Sequence, residues 1–341
     1  MKFLKYIFFV MVFSSSALAS HHFESSLAKE QPKLDITDTF VFPSRDHKST
    51  VFAMSFNPTS VSSDALNNLS DKGVYGLHIK TKEIINSYLF YKKESLIEVY
   101  KTHSYLVDNP TFKAAKIGYL EVNTKSILDG NTKAWVGSIN DPFFADAKGF
   151  RALVLSIENG DQINVDLLGK TPEFFQERTT TGIVLEIPNN ELGSEVEVFS
   201  TSSLYEDGHW HQINYSANVL LTNLFLLDED VKRIKNTNLF SVDHITKSEM
   251  KSSMLKGMTS AGVKEDKDHI NIIVNNLIPD VIRYKVGTNA EYSLLNPNGR
   301  GLVDDTFDTV LSAFFMMNIS DGYVDNKNMS TSYPYFSTDV K

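Results

Sequence analysis

Thr50-Val-Phe-Ala-Met-Ser-Phe56 is a short run of β-branched and aromatic residues in an alternating pattern, and it ends at Asn57-Pro58. Alternation is typical of a β-strand, because successive side chains of a strand point to opposite faces. A pair of Asn and Pro is typical of a turn. The stretch therefore predicts one strand and the turn that follows it.

Segments of the same kind recur at short, regular intervals as far as about residue 216. Turn signals such as Asp129-Gly130-Asn131 and Asn159-Gly160-Asp161 separate them. Further strands are predicted at residues 74–81, 84–91, 96–103, 115–122, 133–139, 150–157, 182–187 and 196–201. This pattern predicts a mainly β fold with a β-sandwich or barrel-like body of many short antiparallel strands.

The C-terminal third changes to a helical period. Thr246-Lys-Ser-Glu249 fits a capping box, and residues 268–277 have a helical pattern that closes before Pro279. A third helix is predicted from apolar residues that share one helical face: Val303, Phe307, Val310, Leu311, Phe314 and Phe315. We therefore expect two or three helices from this third of the chain to pack on the β body.

The first nineteen residues have the parts of a secretory signal peptide. Lys2 and Lys5 make the start positive, residues 6–13 are apolar, and Ala17-Leu18-Ala19 offers small residues to a signal peptidase. The apolar run is shorter than the ~20 residues of a spanning helix, which favours a cleaved signal over a membrane anchor. We expect an exported protein, periplasmic or extracellular, whose mature chain begins at Ser20.

The mature chain of 322 residues is expected to contain an extended N-terminal arm, residues 20–36, and a single large β-rich domain, residues 37–341. The change of period puts a candidate sub-boundary near residues 216–240. No later segment approaches about 18 consecutive apolar residues, so no transmembrane segment is expected in the mature chain, which is predicted to be soluble.

Composition narrows the classes of partner. The chain has no Cys, so packing of its 23 Phe and 14 Tyr must stabilise it even where disulfides could form. Loss of Lys2 and Lys5 with the signal takes the formal charge from −9 to −11, and the remaining Lys residues form no basic block. Nucleic acid is therefore not an expected partner, and composition does not distinguish a protein from a small-molecule partner.

A series of different short motifs extends along almost the whole mature chain. They are Ser20-His21-His22 with Glu24, Asp35-Ile-Thr-Asp38, Asp141-Pro-Phe-Phe144, Gly182-Ile-Val-Leu-Glu-Ile-Pro188, Trp210 to Asn214, Asn298-Gly-Arg300 with Asp304, Asp305 and Asp308, and Tyr333-Pro-Tyr335. The ordered set resembles a bacterial exported family catalogued as domain of unknown function 4331. The resemblance implies export and a β-rich fold, and it implies no assigned activity. Tyr215-Ser-Ala-Asn218 departs from it, since the family often carries an Arg and a Gly-Pro there.

The predicted new terminus is a candidate metal site. Cleavage after Ala19 frees the α-amine of Ser20, and His21 and His22 follow it. A free amine, backbone nitrogens and an imidazole can form the square-planar geometry that Cu(II) or Ni(II) prefers. The alternative is a polar terminus without metal.

A second metal hypothesis joins this terminus to nearby acids. His21 or His22 could converge with Glu24, Asp35 and Asp38 if the arm folds back. A set dominated by carboxylates favours Ca²⁺, whereas a set rich in His favours a transition metal. The alternative is that the two Asp residues make turn contacts at the entry to the first strand.

Other polar groups have simpler interpretations. His209 and His211 share one face if they lie on a strand, but a third ligand is not evident. The three acids Asp304, Asp305 and Asp308 begin the third predicted helix, where negative charge complements the helix dipole.

The sequence has no Gly-x-Ser-x-Gly, His-Glu-x-x-His, P-loop or dinucleotide motif, and a cysteine nucleophile is impossible. The first hypothesis is therefore an exported binding or structural protein of unknown ligand rather than an enzyme. The second is an exported metal-binding protein that uses the N-terminal His pair and nearby acids. The third is a hydrolase built from scattered acids and His.

Overall fold

The computed structural model describes residues 25–61, 64–82, 84–104, 114–325 and 329–340. The predicted signal peptide, the terminal Ser20-His21-His22 site and Glu24 lie outside these ranges. Within them, no helix combines the length and the apolar character needed to cross a membrane.

Two antiparallel sheets confirm the predicted mainly β fold. In spatial order, the five-stranded sheet consists of β1 (Ile36–Pro43), β2 (Ser49–Phe56), β9 (Thr179–Pro188), β8 (Lys133–Asn140) and β7 (Ser126–Ile127). The seven-stranded sheet consists of β11 (His209–Ser216), β10 (Glu195–Glu206), β3 (Gly73–Thr81), β4 (Ile84–Lys93), β5 (Leu96–Thr102) and β6 (Ala115–Leu120), with β12 (Ile282–Lys285) paired to the start of β10.

Apolar side chains from both sheets form one core. Phe52 and Met54 of β2 belong to the same buried cluster as Leu77 of β3, Phe90 of β4 and Ile183 of β9. Burial of such side chains stabilises the fold by about 1.5–3 kcal/mol each, so this cluster holds the two sheets together.

The strand β2 is buried on both faces. Phe52 and Met54 lie in the core between the sheets, whereas Val51 and Ala53 belong to a second cluster with Phe336 from near the end of the chain. All four of these β2 side chains are fully buried. This burial on both faces explains why consecutive residues of the strand are apolar.

Residues 329–340, named here the C-terminal strap, cover the outer face of the five-stranded sheet. Phe336 packs edge-on against Phe40 with ring centroids 5.9 Å apart, and Tyr335 packs against Phe42 at 5.5 Å. The backbone N–H of Asn140 on β8 donates to the carbonyl of Ser337 at 2.9 Å. The strap therefore takes the place of a further layer on this sheet.

The helices are α1 (Ser26–Glu30), α2 (Ala147–Asn159), α3 (Glu229–Thr237), α4 (Asp243–Ser260), α5 (Lys267–Leu277) and α6 (Thr306–Phe315). Side chains of α2, α4, α5 and α6 form a separate apolar cluster with a π-helical turn at Leu221–Phe225. Phe225 and Phe314 meet there edge-on at 5.0 Å. The molecule therefore has a helical core beside its sandwich core.

One predicted strand is wrong. Residues 150–157 belong to α2, because the apolar residues Phe150, Leu153, Val154 and Ile157 are spaced for one helical face rather than for alternation. Asp146 caps the start of α2 by accepting from the Gly149 N–H at 2.8 Å.

The C-terminal helices are present, with shifted starts. The capping box predicted at Thr246 is wrong, because α4 begins at Asp243 and the Thr246 hydroxyl donates to the Val242 carbonyl at 3.2 Å inside the helix. The second predicted helix is confirmed as α5, which Asp266 caps. The third is α6, and Val303 precedes it as an exposed residue. The helix α3 was not predicted.

The described part of the predicted N-terminal arm packs closely on the body. Its helix α1 is capped by Ser25, whose hydroxyl accepts from the Ala28 N–H at 3.2 Å, and both residues are fully buried. A 3₁₀ turn at Pro32–Leu34 then leads into β1.

Candidate functional site

Asp38 forms a buried ion pair with Arg300. Its Oδ1 lies 2.7 Å from Nη2 of Arg300, and both side chains are almost fully buried. The hydroxyl of Ser55 donates to the other carboxylate oxygen at 3.2 Å, and Arg300 Nη1 donates to the Thr39 carbonyl at 3.3 Å. This pair ties the first strand to a segment more than 260 residues later in the chain.

The glycine before Arg300 permits this approach. Gly299 has a φ of +84°, and a Cβ at this position would lie 2.7 Å from the Val41 carbonyl oxygen. Only glycine accepts both constraints at low cost. Arg300 can therefore exchange two backbone hydrogen bonds with Val41, at 2.9 and 3.2 Å, and place its guanidinium 4.3 Å from the centre of the Phe40 ring.

Other motif residues also meet in pairs. Asn214 Nδ2 donates to the buried Asp35 carboxylate at 3.2 Å. The Tyr335 hydroxyl donates to Glu186 at 2.6 Å, and Lys133 lies 2.6 Å from the same carboxylate. These short motifs are thus brought together by the fold, and their polar groups bond to one another.

A second buried ion pair lies where the helices join the seven-stranded sheet. Lys235 Nζ on α3 lies 2.8 Å from Asp280 Oδ2, and both side chains are at most 3 % exposed. Asp280 also accepts from the backbone and side-chain N–H groups of Asn218, at 2.8 and 2.9 Å. Lys235 donates to the Tyr215 carbonyl at 2.5 Å. We call Asp38–Arg300 and Lys235–Asp280 the buried ion pairs.

The structure describes only two of the six predicted metal ligands, Asp35 and Asp38. Both are fully buried, and their carboxylates already have the protein partners given above. In the described ranges, no three His, Asp or Glu side chains form a group that could hold a metal ion. Ser20, His21, His22 and Glu24 lie outside those ranges, so the terminal metal site stays a prediction.

The remaining candidates lie at exposed or capping positions. His209 and His211 are exposed near the turn between β10 and β11. Asp305 caps α6 by accepting from the Asp308 N–H at 3.1 Å, and burial raises its pKa to about 6. Asp304 accepts from the Gly301 and Tyr292 N–H groups at 2.8 and 3.0 Å. These Asp residues therefore hold backbone in place.

A groove of about 960 Å³ opens where the end of β3, the starts of β4 and β10, and the end of β12 come together. We call it the basic groove. Among the residues that the structure describes, six charged ones line it: Lys80, Lys82, Glu195, Glu197, Arg283 and Lys285. Four cations and two acids give this described part of the lining a net positive charge in a chain whose formal charge is −9.

Strand register places three of these charges in one row across the sheet. On β3, β10 and β12, the residues Lys80, Glu197 and Arg283 lie side by side across the sheet. Lys80 Nζ lies 2.8 Å from Glu197 Oε2, and Arg283 Nε lies 3.6 Å from Glu197 Oε1. Glu197 is thereby shared between two cations.

The charged side chains in the next row of the groove form fewer ion pairs. Glu195 lies directly opposite Lys285, and Lys82 follows Lys80 two residues later. Lys82, Glu195 and Lys285 are exposed, and the structure shows no ion pair between either lysine and any acidic group that it describes. Within the described part of the chain, these two exposed ammonium groups therefore have donors that no carboxylate occupies.

Apolar surface adjoins the charges. Ile84 lines the groove and is 53 % exposed, and Pro297 lies on the lining as well. A concave site with apolar walls and a few convergent polar groups is typical of ligand-binding pockets, which measure about 300–1,000 Å³. The basic groove has the size and the chemistry to hold an anionic ligand.

This site was not predicted from the sequence. The lysines are spread along the chain, and about 200 residues separate Lys80 and Lys82 from the cations of β12. The available signal was the spacing within two segments, since Glu195-Val-Glu197 and Arg283-Tyr-Lys285 each put like charges on one face of a strand, and Lys82 follows β3 in the turn. Comparison with known proteins adds no further guide, because no family model, curated protein or solved structure matches this chain.

Proposed function

We propose that this chain is an exported binding protein, periplasmic or extracellular, whose ligand occupies the basic groove. One observation carries the proposal: Lys82 and Lys285 are exposed beside a groove of about 960 Å³ and have no described acidic partner. An exposed cation without an acidic partner attracts anionic groups, so an anionic ligand that reaches both ammonium groups is favourable.

The groove supports binding better than hydrolysis. General acid–base catalysis needs a carboxyl group whose pKa is matched to its task and whose oxygens can reach the substrate. Glu197 instead shares its carboxylate between Lys80 and Arg283, at 2.8 and 3.6 Å. Both oxygens of Glu197 are thus committed to cations, which leaves Glu195 as the single open carboxylate of the described lining. One open carboxylate suits hydrogen bonding to a ligand better than catalysis by a paired acid and base.

A ligand screen by thermal melting tests the proposal. With the chain from Ser20 to Lys341, we expect an anionic ligand to raise the melting temperature, because binding to the folded state stabilises it. The Lys82→Ala/Lys285→Ala variant should lose that shift. The matched control Lys251→Ala/Lys264→Ala removes two exposed lysines from the helical side, and it should keep the shift.

Two results would contradict the groove as the site. One is an equal shift in the groove variant and the control. The other is a ligand-bound structure with the ligand placed elsewhere. Comparison of the unliganded melting curves shows whether each variant is folded.

Export is a separate part of the proposal, supported by the signal-like start of the chain. Mass spectrometry of protein collected outside the cytoplasm should give a chain that begins at Ser20. An Ala19→Arg variant should remain uncleaved, because signal peptidase requires a small residue at that position. Recovery of an exported chain that still begins at Met1 would contradict cleavage. Metal analysis of the same sample tests the Cu(II), Ni(II) or Ca²⁺ site predicted at the terminus.

We also infer membership of the family with domain of unknown function 4331. The spatial pairing of motif residues supports it, since Asp38 meets Arg300, Asp35 meets Asn214 and Glu186 meets Tyr335. We expect members of one family to retain both residues of such a contacting pair, because loss of one residue leaves the other without its partner. A structure of a family member that lacks the Asp–Arg pair would argue against this inference.

A further inference from the structure

The charges of the basic groove form three columns. Lys80 lies on β3 and Lys82 in the turn that follows it, where its φ is +54°, whereas the two Glu residues lie on β10 and Arg283 and Lys285 lie on β12. Neighbouring strands are about 4.8 Å apart, so Lys80 and Arg283 are separated by about 10 Å with Glu197 between them. Along β10 and β12, residues two apart are about 7 Å from each other.

The order of these columns determines which arrangement of charge a ligand must carry to fit. The outer columns offer ammonium donors to anionic groups, and the central column offers Glu195, an exposed carboxylate that accepts hydrogen bonds. A ligand that fits must therefore carry anionic groups at its two sides and hydrogen-bond donors between them. A polymer with a phosphate at every unit fits poorly, because it would bring negative charge against Glu195.

The lining also has room for a ring-shaped, partly apolar surface. Ile84 is 53 % exposed at the groove, and Pro297 also lines the groove. Sugar rings combine C–H faces, which pack on such side chains, with hydroxyl groups that donate to carboxylates. Carboxylate or sulfate substituents on such sugars supply the anionic partners that Lys82 and Lys285 lack among the described residues.

We propose that the ligand of the basic groove is an acidic oligosaccharide, in which carboxylate or sulfate groups alternate with free hydroxyls. This inference rests on the proposed function and names the chemical class of its ligand. The anionic groups bind Lys82 and Lys285, and the hydroxyls between them donate to Glu195.

Calorimetric titration with matched sugars tests the inference. The probes are an oligogalacturonate, its fully methyl-esterified and therefore neutral form, and a sulfated galactose oligomer of equal length. We expect the neutral form to bind about tenfold more weakly than the better of the two acidic probes, a factor within the range of two exposed charge pairs. Acidic binding should weaken further as salt is added, because salt screens exposed charges. Preference for one acidic probe distinguishes carboxylate from sulfate.

Two variants separate the contributions of the columns. Lys82→Ala/Lys285→Ala should weaken the acidic probe about tenfold and leave the neutral probe almost unchanged. Glu195→Gln should weaken both probes, because both donate hydroxyls to this carboxylate. Lys251→Ala/Lys264→Ala serves as the matched control and should bind all probes as the parent chain does.

The outcomes distinguish this inference from the proposed function. Equal affinity for the neutral and acidic probes, still sensitive to Glu195→Gln, overturns the requirement for acid but leaves the groove as a binding site. Tighter binding of inorganic polyphosphate than of any sugar, lost in the lysine variant, overturns the sugar alone. Binding of every probe without any effect of the groove variants overturns both. Failure of all sugars to bind overturns the acidic oligosaccharide, and the melting screen then decides the groove.

Discussion

The buried ion pairs and the basic groove are both built from opposite charges that lie far apart in the sequence, yet their surroundings differ. Asp38 and Arg300 are at most 3 % exposed and have several protein partners. Lys82 and Lys285 are exposed and have no described acidic partner. In the first region every charge is already bonded within the protein, and in the second two charges remain available to something else.

The difference in burial has an energetic consequence. Removing one member of a buried pair leaves an unpaired charge in the interior, which destabilises a protein by about 3–5 kcal/mol. An exposed ion pair contributes only about 0–1 kcal/mol. We therefore expect substitutions in the two regions to affect different measurements, namely stability for the buried pairs and binding for the groove.

The largest effect is expected at Arg300. Arg300→Met should lower the free energy of unfolding by about 3–5 kcal/mol, because Asp38 is then buried without its cation. Urea unfolding followed by circular dichroism measures the change. The double variant Asp38→Leu/Arg300→Met removes both charges and should be less destabilised than the single variant. If the single variant loses less than about 1 kcal/mol, the pair resembles an exposed one and the comparison fails.

A smaller, pH-dependent effect is expected at His78. This buried side chain lies between the hydroxyls of Ser87 and Thr201, each at 2.7 Å, and stacks on Phe199. Burial lowers the pKa of His78 from 6.5 to about 3. Between these values the unfolded chain binds a proton that the folded chain does not, so stability falls as the pH falls, with a limiting slope of about 1.4 kcal/mol per pH unit.

The test compares the pH dependence of two chains. His78→Gln keeps a polar side chain and removes the titration, so its stability should fall less steeply than that of the parent chain from pH 6.5 downward. Urea unfolding at a series of pH values measures both slopes. Identical slopes would show that His78 titrates alike in the folded and unfolded chains, contrary to its burial.

The smallest effect on stability is expected in the basic groove. Lys82→Ala/Lys285→Ala should change the free energy of unfolding by less than about 0.5 kcal/mol, because exposed side chains away from packed features contribute little. The same urea experiment provides the measurement. A loss comparable to that of Arg300→Met would make these lysines structural and remove the contrast between the two regions.

Local patterns predicted most of the strands, because alternation and turn residues act over a few neighbouring positions. The same reasoning failed at residues 150–157, where Phe150, Leu153, Val154 and Ile157 follow the helical period and Asp146 caps the helix. The buried ion pairs and the groove depend on register between strands far apart in the chain. Arg283 and Lys80 share Glu197 only after β10 has paired with β3 and β12. The spacing of residues within one segment does not predict that pairing.

The C-terminal strap has a consequence for the order in which the chain is made. Residues 329–340 leave the ribosome after all the strands that they cover. Until then the outer face of the five-stranded sheet, with Phe40 and Val51, lacks the apolar contacts that Tyr335 and Phe336 supply. A newly made chain therefore exposes more of this apolar surface until residues 329–340 have been added. A shortened chain that ends before the strap would keep that surface open, and exposed apolar patches of this kind promote aggregation.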